Sequence, residues 1–315
     1  MKVWNLNADL KPIVLQGHAE MAISVAFSAD GKKFASVGQD NTAIIWDAAT
    51  REPLLKVKSK TKELFGVAFS LEGNTLVTTS RDGVQEWEVS TGRELQPLGA
   101  PSSVIMALSP NGKTFVFSGD NNGKVILADV ASKQEMASFE KCWRPVFSSD
   151  GKKLALSCAD MATRMTNIKI VEVATGKMLQ SLKTPAPAWM IAFSPDCKSL
   201  AAVTLIGNNP DNKVRLWDLL TGQEVMIFSG HGDGVGAVTF SPDGRRLATA
   251  GLDKTIKLWD TTTGDDLLTL RGHDQMVTSV AFSPDGQTLA STSVDKTIRL
   301  WRAATAAEVQ ARRGQ

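Results

Sequence analysis

The chain contains only three histidines, His18, His231 and His273. Each is followed 22 residues later by an aspartate (Asp40, Asp253, Asp295) and six residues beyond that by a tryptophan (Trp46, Trp259, Trp301). A histidine held by a carboxylate is half of a general-base pair, and a hydroxyl alongside would complete a nucleophilic triad. Catalytic groups are rarely triplicated at one fixed spacing, whereas structural groups in a repeat are. The histidines are therefore assigned to structure, and none is left over for a metal site. Cys142, Cys158 and Cys197 share no close metal-ligand spacing. Being sparse and odd in number, they fit a reducing compartment better than a disulfide framework. No glycine-rich phosphate loop follows a strand and opens a helix. No catalytic residue, metal ligand or cofactor is expected, and the chain is read as not an enzyme.

What positions these residues is a repeat. One turn signature recurs seven times: SADG at 28–31, SLEG at 70–73, SPNG at 109–112, SSDG at 148–151, SPDC at 194–197, and SPDG at 241–244 and 283–286. The spacings are 42, 39, 39, 46, 47 and 42 residues. Serine opens the turn, proline often presets φ at the second position, and glycine closes it where a positive φ is usually required. Cys197 stands alone in place of that glycine. Short apolar runs flank each turn, as in Val280-Ala281-Phe282 and Leu289-Ala290-Ser291, and two more follow in each unit. Four short strands per unit of this length predict the blades of a β-propeller.

The units resemble the WD-repeat family over nearly the whole chain. Gly-His pairs stand at 17–18, 230–231 and 272–273; Trp-Asp pairs stand at 46–47, 217–218 and 259–260, with Trp301-Arg302 as a variant. The resemblance implies an all-β fold, a single seven-bladed β-propeller of four-stranded antiparallel blades spanning residues 1–315. It also implies a buried set of four hydrogen-bonded side chains in each complete blade. These are His18, Ser36, Asp40 and Trp46; His231, Thr249, Asp253 and Trp259; and His273, Ser291, Asp295 and Trp301. The donors and acceptors match, because the indole donates one bond, imidazole offers a donor and an acceptor, and aspartate accepts.

Seven turns mean seven innermost strands, yet the ends carry surplus. Residues 2–6 read as a third strand, with Trp4 in the repeat position, and residues 12–16 as a fourth. After Trp301, residues 306–313 contain one β-branched residue where a fourth strand belongs. Residues 13–16 are therefore expected to close the ring by joining the last blade, with 303–315 a tail. The spare Trp4 strand raises a chain cut from, or descended from, a longer array, such as a domain of a multidomain signalling protein. The alternation Lys56-Val57-Lys58 reads as a solvated outer edge protected from aggregation by lysine.

Units two to five depart from the pattern. Unit two keeps Asp82 and Trp87 without a histidine, unit three has Ala128 at the Trp position, and unit four has Val171. Units four and five carry long excursions at 160–167 and 207–211. Drift would explain this, and so would a specialised binding half. Trp143 and Trp189, the two tryptophans outside the repeat position, favour the second. Aligned on the residue before each turn, they share a column reading Ile23, Phe65, Val104, Trp143, Trp189, Gly236 and Thr278. In the resembled family that column is the bulge opening the innermost strand at the rim of the central channel. Five consecutive large apolar groups there mark an interaction site; the competing placement turns them inward between blades. Met21 and Arg81 are expected as flanking contacts.

The net charge of +2, with Lys56, Lys58, Lys60 and Lys62 the longest basic cluster, argues against nucleic acid. The first residues hold no signal-like apolar run and no stretch approaches a membrane span. The expectation is a cytoplasmic, monomeric, non-enzymatic scaffold for a protein or peptide. A propeller enzyme is the alternative, and it is disfavoured because the rim column lacks spare histidine, paired cysteine and clustered carboxylates.

Overall fold

A computed structural model describes residues 11–60, 63–70, 72–80, 83–95, 105–118, 123–160, 165–206 and 209–303. The described residues form seven antiparallel sheets and no helix. Blade one is Ala22–Phe27, Lys33–Gly38, Thr42–Asp47 and Pro53–Lys58, each strand pairing with the next in sequence. The same meander recurs in blades three to six, whose innermost strands are Ile105–Leu108, Cys142–Phe147, Ala188–Phe193 and Val235–Phe240. Blade two has Leu64–Phe69, Thr75–Ser80 and Gly83–Glu88; among its described residues a single Trp87–Glu94 bridge stands where a fourth strand was expected. Innermost and neighbouring strands of successive blades touch all the way round, so the seven sheets close into a propeller.

The repeated turn has a repeated mechanism. Ser28 is buried, donates through Oγ to Asp30 at 2.7 Å, and accepts from the Lys33 amide at 3.0 Å. Ser148, Ser194, Ser241 and Ser283 do the same toward Asp150, Asp196, Asp243 and Asp285. The closing residue has positive φ throughout, from 65° at Gly286 to 71° at Gly73, and Cys197 adopts it too at 57°. A β-carbon there costs about 1–2 kcal/mol, so the Ser-Asp clamp and the buried Cys197 side chain must hold blade five's turn against that strain.

Each blade packs both faces on its neighbours, which is why its middle strands are apolar runs rather than strict alternations. Seven hydrophobic cores result, one between every adjacent pair of blades. Between blades two and three the buried members among the described residues are Val77, Val84, Phe115 and Ala128. The ring closes as the surplus N-terminal strand requires. Ile13–Gln16 pairs with Thr297–Arg302, matching Ile13 to Leu300 and Gln16 to Thr297, while Ile13 and Leu15 pack into the core between blades seven and one. Trp4 and the tail beyond Ala303 lie outside the described residues. Lys56 and Lys58 are exposed on the outermost strand, but Val57 between them is buried, and Lys56 Nζ donates to the Gly17 carbonyl at 2.7 Å.

Two features were not anticipated. Cys142 and Cys158 are directly opposed on adjacent strands of blade four and are joined by a disulfide, leaving only Cys197 free. The excursions of units four and five are hairpin extensions. Lys153–Asp160 pairs with Met165–Glu172 along its whole length, and Ser199–Ile206 pairs with Asn209–Asp218.

Candidate protein-binding rim

The three complete hydrogen-bonded sets are assembled as matched networks. In blade seven, Trp301 Nε1 donates to Ser291 Oγ at 2.9 Å, His273 Nε2 lies 2.8 Å from the same hydroxyl, and His273 Nδ1 lies 2.8 Å from Asp295. Blade six repeats this through Thr249, with 2.9 Å to Trp259, 2.7 Å to His231, and 3.0 Å from His231 to Asp253. Blade one does so through Ser36, 3.1 Å from Trp46 and 2.8 Å from His18, with His18 3.1 Å from Asp40. Because the hydroxyl already accepts the indole proton, it donates to imidazole Nε2, which places the imidazole proton on Nδ1 facing the carboxylate.

Electrostatics agrees with a neutral ring beside an ionised carboxylate. Burial pushes all three histidines below their ordinary pKa, outweighing the pull of the aspartates. Burial alone would raise Asp295, but hydrogen bonds from Thr297, His273 and the Thr297 amide overcome it and hold the carboxyl down to about 2. Each hydroxyl is wholly buried, with no opening for a substrate at the would-be nucleophile. Among the described residues no cluster of three or more potential metal ligands exists, and no helix is long and apolar enough to cross a membrane.

These geometries coincide with a recognised repeat. The WD domain, G-beta repeat family matches residues 11–47, 222–260 and 264–302, which carry the three complete sets. The chain is a seven-bladed propeller, and three of its units match the WD repeat. The chain is 28% identical to apoptotic protease-activating factor 1 of Homo sapiens over 81% of its own length, covering 20% of that protein. It is 26% identical to THO complex subunit 3 of Arabidopsis thaliana over 76% of each chain. It is also 33% identical to Protein HIR1 of Cryptococcus neoformans var. neoformans, over 39% of this chain and 15% of the relative. The chain spans about a fifth of the apoptotic protease-activating factors it matches. WD-repeat propellers are generally non-catalytic scaffolds for protein interaction.

The other four units lack the complete network. In blade two, Thr78 still accepts from Trp87 Nε1 at 3.0 Å, with no imidazole behind it. In blades three, four and five the hydroxyl position is Phe117, Leu156 and Ala202. Leu156 and Ala202 are fully buried in the cores on either side of blade four and beside blade five.

The column of residues singled out by the turns falls on a β-bulge. Ile23 has no opposite residue between the Ala22–Gly38 and Ser24–Val37 pairs, and Phe65, Trp189, Gly236 and Thr278 stand in the same relation to their blades. Blades three and four depart from this pattern, the irregularity of blade three falling at Met106, between the Val116–Ala107 and Phe117–Ile105 pairs. In blade four Trp143 is paired with Ser157, and the irregularity falls one step later, on Arg144 and Pro145. Arg144 takes the strained position, with φ of 54°. Phe65 is 45% exposed, while Met21, Ile23, Trp143 and Trp189 are half-buried, and none of the five belongs to an inter-blade core. Arg81 and Val104 lie outside the described residues.

Two members of the rim escaped the sequence reading. Met276, 43% exposed, precedes the innermost strand of blade seven as Met21 precedes that of blade one; reading the column two residues earlier would have found it. Arg144 carries its guanidinium 4.0 Å above the ring of Trp189, joining blades four and five. Its only sequence signal was an Arg-Pro step directly after a tryptophan. In blade seven the bulge serves structure instead, Thr278 donating to the Ala22 carbonyl of blade one at 2.7 Å. The hairpins at 160–165 and 206–209 continue past the points where Cys142 and Ala188 begin their strands. They therefore project from the face on which Trp143 and Trp189 lie.

Proposed function

We propose that the chain is a non-enzymatic scaffold that seats a protein or peptide segment on the apolar rim of its central channel, with Met21, Ile23, Phe65, Trp143 and Trp189 as contacts. The observation that carries this reading is the placement of Phe65, Trp143 and Trp189. Phe65 and Trp189 stand at bulges of innermost strands and Trp143 directly before one, all three outside every core, and Phe65 is nearly half exposed. A ring that packs no core adds little stability, whereas an aromatic anchor in a desolvated interface contributes more than about 2 kcal/mol. The names of the relatives point the same way, two of them a complex subunit and an apoptotic factor. No catalytic step belongs to this reading.

The test is the triple substitution of Phe65, Trp143 and Trp189 by alanine. Rim residues predict a melting temperature within a few degrees of the parent, together with loss of the partners that the parent captures. Core rings would instead cost about 3–5 kcal/mol each. A collapse of stability would reassign the three as packing residues that replace the lost hydrogen-bonded sets.

A further inference from the structure

Arg144 is the most anomalous residue of the rim. It is a non-glycine residue in the left-handed region, it precedes a proline, and it belongs to an innermost strand whose bulge is displaced. Left-handed backbone is costly for any residue with a β-carbon, and such strain persists where the surroundings hold it in place, often at binding sites. Here the strain turns the side chain sideways onto the face of Trp189, where the cation and ring attract. Crowding by neighbouring groups partly dehydrates the guanidinium and lowers its pKa, and no carboxylate among the described residues offsets that burial. Arg144 is nonetheless exposed, beside two half-buried tryptophans, and no carboxylate among the described residues pairs with it.

A planar guanidinium clamped on an aromatic ring presents paired N–H donors in fixed orientation, the geometry that matches a carboxylate. We infer that Arg144, braced by Trp189, recognises an aspartate or glutamate side chain of the segment bound on the rim, with a bulky apolar neighbour of that residue seated on Trp143. Charge complementarity decides the occupant. The apolar rings would accept many sequences, but a cation held on an aromatic face without a counter-ion selects an acidic one. Aromatic groups lie in the same blade and in the next, so the segment continues beyond the carboxylate on both sides. An internal acidic side chain fits that better than a chain terminus. The inference rests on the rim being the binding surface.

The experiment pans a random linear peptide library on the whole chain and measures affinities of recovered peptides by fluorescence polarisation. Peptides with an acidic residue next to a bulky apolar one are expected. Their binding should fall at least tenfold with Arg144→Glu or with neutralisation of the peptide's acid to the amide. Arg144→Lys, which keeps the charge but loses the planar fork, should recover part of the affinity. Arg144→Gly is the decisive variant, because it removes the backbone strain with the cation. It should melt no lower than the parent while binding as poorly as Arg144→Glu. Recovered peptides that lose binding in the Phe65/Trp143/Trp189 alanine variant yet show no acidic preference would overturn the carboxylate site and leave the rim reading standing. Acidic peptides whose binding needs a free C-terminus and is abolished by C-terminal amidation would overturn the internal side chain. Peptides indifferent to both sets of substitutions, or no recovered peptide at all, would overturn both readings.

Discussion

Two buried threonines at the same strand position allow the hydrogen-bonded sets to be weighed against each other. Thr249 in blade six and Thr78 in blade two are both fully buried, and each accepts an indole proton, at 2.9 Å from Trp259 and 3.0 Å from Trp87. Thr249 in addition serves His231 Nε2 at 2.7 Å, which Thr78 has no counterpart for. Replacing either by valine preserves shape, so no cavity opens, and the loss is that of the hydroxyl alone. Each buried polar group left without its partner costs about 1–3 kcal/mol. Thr78→Val strands one such group and should cost about that much; Thr249→Val strands two and should cost roughly 2–6 kcal/mol. Urea denaturation followed by tryptophan fluorescence measures both, with the slope checked for constancy so that the midpoints report stability. Equal losses, or a larger loss at Thr78, would refute the argument that the histidine-containing set is a single coupled unit.

Acid should weaken the fold in two stages. Histidines whose native pKa lies below 6.5 make the unfolded chain bind more protons as pH falls through that value, so stability declines from about pH 6.5 downward. Asp295, ionised down to about 2 in the native state, adds stability above pH 3.8 that is lost between there and pH 2. Thermal melts against pH check the direction, and any histidine NMR resonance titrating above 6.5 would contradict it. The disulfide predicts one titratable thiol per chain in non-reducing denaturant and three after reduction; with a sequence separation of 16 between its ends, its removal should cost about 3 kcal/mol.

The architecture was legible because a propeller writes its period into the chain. Six of the seven turns use a buried serine bonded to an acceptor two residues on, and all seven a closing residue with positive φ; each demand selects a residue type by a local rule that one sequence displays. The complete sets were legible for the same reason, since fixed strand lengths fix the spacing of His273, Ser291, Asp295 and Trp301. What sequence spacing could not show depends on register across strands. Cys142 and Cys158 face each other because the first residue of an innermost strand pairs with the sixth of its neighbour, a match invisible from their separation in the chain. The displaced bulge at Arg144 is likewise a matter of pairing, and it moved the chemically informative residue one place beyond the column that the turns define.

The arrangement of intact and eroded blades follows from where the ring is weakest. Six blades are continuous stretches of chain, whose hairpins hold their strands in register. The seventh is closed by Ile13–Gln16 from the far end of the sequence, with no turn to set its register against Thr297–Arg302. A slip of one residue there would turn Ile13 and Leu15 out of the core between blades seven and one. The intact sets occupy blades six, seven and one, the three that flank or contain this seam. His18 lies two residues past the closing strand and is bonded to Ser36 and Asp40 of blade one, so it tethers the end of that strand to the neighbouring blade. His273 and Asp295 do the corresponding work inside blade seven, Asp295 fixing the turn that starts the strand on which Ile13–Gln16 pairs. Directional hydrogen bonds specify position where apolar packing tolerates sliding. Blades two to five, held in register by their own hairpins, can do without them, and it is in this arc that Phe65, Trp143, Arg144 and Trp189 stand.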